Sequence, residues 1–245
     1  MIPAGARLGF ITFGCKVNQY ESAFMAESAA KAGVTLAPAG TADILVVNSC
    51  TVTGRTDAQV RQVLRQAARR EPRPRIFVTG CHAQRSPQEL AALAGVQGVF
   101  GNLEKTCWLD LAFSGSPRAE PFIQVSEPAG VGDFAPMPLQ TIRGHTRAMV
   151  KIQDGCDQFC SYCIVPLVRG RERSLPAAEV LEQIETLAAG GYREIVLTGI
   201  NLARYGRTLA GAESLLTLVR RLRQRSWPLR VRLSSLEPQD LSLEL

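Results

Sequence analysis

The stretch Asp43-Ile-Leu-Val-Val-Asn-Ser-Cys50 sets four consecutive apolar residues, three of them β-branched, ahead of Asn, Ser and a cysteine. A short unbroken apolar run of this kind predicts a strand buried on both faces, the usual condition of a parallel sheet. Working outward, two neighbouring runs share its plan. Residues 7–13 form an apolar run that ends at Gly14-Cys15, and residues 75–79 form another that ends at Gly80-Cys81. Helical patterns lie between them. One covers about 18–32 and stops at Gly33. The next carries Val60, Val63, Leu64, Ala67 and Ala68 at the spacing of a core-facing stripe. Ser86-Pro87-Gln88-Glu89 opens a third, with a capping serine, proline at the first position and glutamate at the third. A short strand at Val99-Phe100 and a helix over 103–113 complete the series. Strands alternating with helices imply a parallel sheet covered on both faces. The expected fold class is therefore α/β, with a small doubly wound parallel-sheet domain over residues 1–113.

Residues 114–145 change character. Pro117, Pro121, Pro128 and Pro136, with Gly115, Gly130 and Gly132, leave little apolar period, so a linker is expected. From 146 to 245 the alternation resumes. A strand at 147–153 precedes a helix started by Ser174 and Pro176, which carries Val180, Leu181, Ile184, Leu187 and Ala188 and stops at Gly190-Gly191. A strand at 194–198, a helix at about 213–225 and a strand at 229–233 follow. The last strand is then an unpaired edge, which leads to the expectation that the sequence is the front part of a longer protein.

A hydrophobic content of 46% against 20% charged residues excludes a disordered chain and fits one able to bury a sizeable core. No run approaches the roughly 18 apolar residues needed to span a membrane. The N-terminus shows no signal-peptide pattern, so a cytoplasmic protein is expected. In that reducing compartment seven cysteines point to metal or catalysis rather than disulfides. The net charge of +6 suits an acidic partner such as nucleic acid, or equally a solvated basic surface.

Six of the cysteines fall into two sets. Cys156, Cys160 and Cys163 stand as Cys-x3-Cys-x2-Cys just after the strand at 147–153. One loop of this spacing can supply three thiolates to a cubic iron–sulfur cluster, leaving one iron open. An open position is what separates catalytic metal sites from closed structural ones. Cys15, Cys50 and Cys81 are scattered, yet each lies one or two residues past a predicted strand, about one βα unit (~30 residues) from the next. In a parallel sheet the C-terminal strand ends share one edge, where ligands bind. The three thiols are expected to converge there as a second metal centre, with Gly14 and Gly80 allowing close backbone approach. The alternative is three small buried residues, because free cysteine packs well. Cys107, beside Trp108 on a predicted helix, has no matching partner and is expected in the core.

The cysteine loop, with Tyr162 just ahead of its third cysteine, resembles the signature of radical S-adenosylmethionine (SAM) enzymes. Gly14-Cys15-Lys16-Val17-Asn18-Gln19-Tyr20-Glu21-Ser22, Asn48-Ser49-Cys50-Thr51-Val52-Thr53 and Thr79-Gly80-Cys81-His82-Ala83-Gln84 resemble the N-terminal domain of the methylthiotransferases. The stretch from Gly155-Cys156 to Arg169-Gly170-Arg171 resembles the radical domain of that same family. The resemblance implies that residues 146–245 are the first part of a partial TIM-type (β/α) barrel. Three more barrel strands and a small RNA-binding TRAM domain would follow in the family, so the chain is expected to be C-terminally truncated.

The same resemblance implies two [4Fe–4S] clusters, a SAM-cleaving one on Cys156, Cys160 and Cys163 and an auxiliary one on Cys15, Cys50 and Cys81. The first would yield a deoxyadenosyl radical, and the second would carry the sulfur to be methylated and inserted. Gly-Cys-Lys-Val-Asn at 14–18 is similar to the branch that places a methylthio group at C2 of N6-threonylcarbamoyladenosine next to the tRNA anticodon. Alternatives of the same chemistry act on isopentenyladenosine in tRNA or on a ribosomal protein. A non-catalytic iron–sulfur or zinc-binding module is the alternative of another class. Implied partners are the tRNA anticodon stem-loop, a sulfur donor and a reductant such as a flavodoxin or ferredoxin, with no membrane.

Other cofactor contacts follow from position. Tyr162 offers an aromatic face to the adenine of SAM, or is a packing residue. Thr198 and Asn201 follow the second strand of the radical domain, and Ser234, Ser235 and Glu237 follow the third. Turns and helix caps explain these residues nearly as well. Arg143, Arg147, Arg169, Arg171 and Arg173 bracket the loop and offer phosphate contacts, or form a solvated surface.

Overall fold

The computed structural model describes residues 5–113, 120–128, 132–142 and 144–245. Its elements run β1 (Arg7–Thr12), α1 (Lys16–Lys31), β2 (Thr35–Leu36), β3 (Ile44–Ser49), α2 (Gly54–Ala68), β4 (Arg75–Gly80), α3 (Cys81–Arg85), α4 (Pro87–Ala91), β5 (Val96–Phe100), α5 (Trp108–Phe113) and β6 (Phe122–Gln124). They continue with β7 (Ala148–Lys151), β8 (Gln153–Asp154), α6 (Val165–Arg169), β9 (Arg173–Ser174), α7 (Ala177–Ala189), β10 (Glu194–Thr198), α8 (Leu215–Arg223) and β11 (Arg230–Leu233).

Six of these strands form one parallel sheet in the order β2-β1-β3-β4-β5-β6. The strand order reverses between β1 and β3, which marks the switch point where ligands of such sheets bind. All six residues of β3 are buried. Its alternate side chains explain why. Ile44 and Val46 pack with Met25 and Ala29 of α1 and with Trp108 and Phe113 of α5. Leu45 and Val47 face the other way, against Val60 and Leu64 of α2 and Leu90 of α4. Burying each such aliphatic side chain contributes about 1.5–3 kcal/mol, so a polar substitution at Ile44 or Val46 would damage one core face and at Leu45 or Val47 the other.

A second sheet, β11-β10-β7, is also parallel and carries α7 and α8 on a core of Val150, Ile195, Leu197, Val180, Ile184 and Leu218. β8 and β9 make a separate two-residue antiparallel ladder, pairing Gln153 with Ser174 and Asp154 with Arg173. Helix α1 serves both units, because Tyr20 joins the second core and its hydroxyl donates to Met137 O at 2.6 Å.

Several local expectations are corrected. β6 falls inside the Pro- and Gly-rich stretch read as a linker, and pairs with β5. Met137, Leu139 and Ile142 of that stretch are buried in the second core. Residues 114–119, 129–131 and 143 of it lie outside the described residues. Ser86 precedes α4 without a side-chain cap. Ser174 belongs to β9, and its hydroxyl accepts from Gly206 N–H at 2.9 Å instead of capping α7. Cys107 is exposed rather than in the core, and the neighbouring Trp108 takes the buried position, edge-on to Phe10.

Candidate functional site

Each cysteine of the scattered set leaves a C-terminal strand end. Cys15 is exposed at the N-cap of α1, Cys50 follows β3 and Cys81 opens α3, the last two buried. The helix N-terminus sets partial positive charge beside Cys15. Gly14 has φ of +90°, and a Cβ there would lie 2.7 Å from Cys50 Sγ. The first two cysteine loops are therefore in contact, and glycine is what lets them approach. Burial pushes the Cys50 thiol up, the Val52 N–H opposes that, and charge on Cys81 or Cys15 raises it further. Gly80, with φ of +96°, plays the matching part on the other side, where a Cβ would lie 2.2 Å from Ser49 O, so the Cys50 and Cys81 loops also meet.

The second set sits on a loop closed at its base. The β8–β9 ladder pins its two ends, and Cys156 N–H donates to Gly170 O at 3.1 Å. Gly155, with φ of +70°, is required there, because a Cβ would lie 1.9 Å from Arg171 O. Cys163 N–H donates to Cys160 O at 2.9 Å, which turns the chain between these cysteines. Phe159 holds a positive φ of 47°, a strained state for an aromatic residue and one that concentrates at functional sites. Burial pushes the Cys156 thiol up, with Gln158 N–H and Arg204 opposing and Cys163 adding to the rise.

The strand-end residues expected around this loop are brought together in part. Thr198 and Asn201 are buried, and the Ser234 hydroxyl donates to Leu197 O at 3.1 Å and meets the Thr198 hydroxyl at 3.4 Å. Asn201 Oδ1 accepts from Ala203 N–H, while its Nδ2 donates to Asp240 at 2.7 Å. Glu237 is exposed, and Tyr162 is 89% exposed. The Tyr162 phenol is raised first by charge on Cys160, to which it also hydrogen-bonds, with Glu237 contributing. Two residues that sequence reasoning missed organise this region. Gln153 Oε1 accepts from the N–H groups of Ile200 and Asn201. Asp240 accepts from Gln158 of the cysteine loop at 2.9 Å.

A larger omission is a buried charge network between the two cysteine sets. Glu21 accepts from Lys105 at 2.5 Å, Lys151 at 2.8 Å and both terminal nitrogens of Arg169. Arg169 also donates to Asp154 and to Asn18, while Asp154 pairs with Lys151 and Arg173. Asn102 ties the network to Cys81 and to α6, the helix that follows the second set. Its Oδ1 accepts from Lys105, and its Nδ2 donates to Val168 O at 2.8 Å and lies 3.9 Å from Cys81 Sγ. The segments that follow Cys81 and Cys163, α3 and α6, pack together. Arg169 and Arg173 are thus interior residues, not phosphate contacts. Arg147 pairs with Glu194 at the start of β7, the opposite sheet edge from the loop, which leaves Arg171 exposed beside it. Arg143 lies outside the described residues.

Among the described residues, no three His, Cys, Asp or Glu side chains converge as ligands of a single metal ion. The donors of each set are nonetheless all thiol sulfurs, on loops that the close approaches at Gly14, Gly80 and Gly155 hold together. A multi-iron cluster spaces its thiolates more widely than one ion does, and thiolates are its usual ligands. The residues present fit such a group.

Comparison with known proteins agrees in its placement of these regions. Residues 7–101 match the uncharacterized protein family UPF0004, and residues 150–237 match the Radical SAM superfamily. The chain joins a UPF0004 domain to a radical SAM domain. It is 36% identical over 241 residues to the threonylcarbamoyladenosine tRNA methylthiotransferase MtaB of Bacillus subtilis, covering 98% of this chain and 53% of that protein. The Thermotoga maritima MtaB is 38% identical over 240 residues, covering 96% and 52%. The chain thus spans about half the length of these curated relatives. A solved structure of the radical SAM methyltransferase TsrM from Kitasatospora setae, with cobalamin and a [4Fe-4S] cluster bound, aligns with a TM-score of 0.61 at 16% identity. That alignment covers 98% of this chain and 57% of the TsrM chain. The likeness supports an α/β fold of radical SAM type. Cys15, Cys50 and Cys81 all fall in the UPF0004 domain, and Cys156, Cys160 and Cys163 in the radical SAM domain. Among the described residues, no helix is long and apolar enough to cross a membrane.

Proposed function

We propose that this chain carries the two cofactor sites of a tRNA methylthiotransferase that modifies N6-threonylcarbamoyladenosine beside the anticodon at C2. The observation that carries the reading is the pairing of two three-cysteine sets, one in each domain, across the packed segments α3 and α6. Its support in sequence is the similarity to the MtaB proteins over nearly the whole chain.

In this reading residues 1–113 hold the auxiliary centre, 114–145 connect, and 146–245 begin the radical domain. Cys156, Cys160 and Cys163 would hold one [4Fe–4S] cluster, and Cys15, Cys50 and Cys81 a second. When bound, the two groups supply the electron that splits SAM and the iron on which sulfur is delivered. The chain's own residues place and shield them. Buried Cys50, Cys81 and Cys156 keep water from one side of each centre. The backbone N–H groups of Val52 and Gln158 bond to the sulfurs of Cys50 and Cys156, which steadies a thiolate. Tyr162, standing exposed at the loop rim, offers a ring face to an adenine, while Thr198, Asn201, Ser234 and Glu237 line the adjoining strand ends. The substrate is a tRNA anticodon stem-loop, the setting is the cytoplasm, and a sulfur donor and a flavodoxin- or ferredoxin-like reductant complete the cycle.

The test is reconstitution under anaerobic conditions with reductant and SAM, followed by mass analysis of two stem-loops, one with threonylcarbamoyladenosine and one with isopentenyladenosine. Exchange of one hydrogen for a methylthio group on the first substrate is expected. Modification of the second alone, or of a ribosomal protein alone, would overturn the substrate assignment. Absence of deoxyadenosine from a fully iron-loaded chain would overturn the radical reading for it.

A further inference from the structure

Glu21, Lys105, Lys151, Asp154, Arg169 and Arg173 are all buried. Over the ion pairs that join them, four cations face two carboxylates. Of the neighbouring buried carboxylates, Glu172 pairs with Arg204, while Glu104 lies outside these ion pairs, accepting from Ser126 N–H through Oε1 and leaving Oε2 without a hydrogen-bond partner among the described residues. Each cation touches a carboxylate, yet within these ion pairs the cations outnumber the carboxylates by two, and an uncompensated buried charge is costly.

The cysteines are placed to supply the missing negative charge. Asn102 Oδ1 accepts from Lys105 at 2.8 Å while its Nδ2 lies 3.9 Å from Cys81 Sγ, and Asn18, which accepts from Arg169 at 2.6 Å, donates to Ser49 O next to Cys50. Burial pulls the Lys105 ammonium down, Glu21 opposes that, and repulsion from Arg169 adds to the fall. Among the described residues Lys105 pairs with Glu21 alone, whereas Lys151 and Arg169 each touch two carboxylates. The path is short, because Asn102 touches both Lys105 and Cys81.

We infer that this buried excess of positive charge is completed by an anionic iron–sulfur centre on Cys15, Cys50 and Cys81, and that Lys105 is a positioning residue that raises the centre's reduction potential. The physical cause is simple. An electron added to a centre beside uncompensated positive charge in a low-dielectric interior is stabilised, and cluster potentials respond to local charge. The inference rests on the two-cluster reading above.

The test uses the full chain in a Cys156→Ala background, so that only the auxiliary centre remains, with its midpoint followed by EPR-monitored redox titration. Lys105→Met removes a cation and is expected to lower the reduced-to-oxidised ratio at fixed potential at least tenfold, a fall of about 59 mV for one electron. Glu21→Gln removes an anion and is expected to raise it. The double variant returns towards the parent value. A merely structural role would shift both single variants in the same direction. Should either single variant fail to fold, Arg173→Gln, which removes the outermost cation at 3.6 Å from Asp154, must lower the midpoint. Full iron content with unmoved midpoints, or single-variant shifts of the same sign, would overturn the inference. An iron content far below about four per chain in the Cys156→Ala parent would instead overturn the two-cluster reading on which it rests.

Discussion

Replacing Glu21 with alanine removes a carboxylate that touches cations from three separate parts of the chain. Its side chain is 1% exposed and accepts from Lys105, Lys151 and Arg169. After truncation, Asp154 is the one carboxylate of the network left to Lys151 and Arg169, and Lys105 keeps none. Breaking a buried pair by deleting one partner costs about 3–5 kcal/mol, most of it the charge left behind. For a chain of this size each kcal/mol moves the melting temperature by about 2–4 °C, so Glu21→Ala should melt about 6–20 °C lower. The comparison is Arg61→Ala, which breaks a part-exposed pair with Glu89 at 3.2 Å and should change stability by under about 1 kcal/mol. Circular dichroism melts of the metal-free chain at neutral pH decide it. A Glu21→Ala protein within about 2 °C of the parent would refute the buried network as a stabilising joint between the two sheets.

Acid sensitivity follows from the same residues. Burial alone would raise the Glu21 and Asp154 carboxyls, but Arg169 and the neighbouring lysines overcome it and hold both well below the usual range. The unfolded chain then takes up protons first, so stability rises with pH and is lost as pH falls below about 4. Urea denaturation at pH 3, 5 and 7 should show that loss in the parent and a weaker one in Glu21→Ala; an equal slope in both would contradict it. Gly155→Ala places a Cβ 1.9 Å from Arg171 O at a positive φ, and iron analysis should show the Cys156 site unfilled while the other fills. Normal loading of both would refute the need for glycine there. Cys107→Ser, at an exposed position, should leave iron content intact and stability within about 0.5 kcal/mol. Loss of iron in that variant would assign Cys107 to a centre.

The parallel sheet was legible because its signal is local. Ile44 to Val47 are apolar at every position, and both faces of β3 are covered, as an unbroken apolar run requires. The cysteine positions were legible for a related reason, since a residue just past a strand is carried to the sheet edge whatever follows it. β6 was not legible. Its three residues carry no period of their own, and they are a strand only because β5 offers an open edge. Met137, Leu139 and Ile142 were likewise isolated apolar residues among prolines, and their burial depends on α1 and α7 arriving from elsewhere. The charge network was the least legible part. Glu21 meets Lys105, Lys151 and Arg169 across separations of 84, 130 and 148 residues, and no local pattern distinguishes such a buried charge from a solvated one. Cys107 and Trp108 show the same limit at short range, because α5 begins only at Trp108 and Cys107 is left exposed just ahead of it.

Iron and acid-labile sulfide per chain after anaerobic reconstitution bear most directly on the two-centre site. About eight of each are expected from two cubic clusters, falling by half in Cys50→Ala and by half in Cys156→Ala. Zinc in place of iron, or a content of about four that only one of the two substitutions lowers, would contradict the assignment of Cys15, Cys50 and Cys81 alongside Cys156, Cys160 and Cys163.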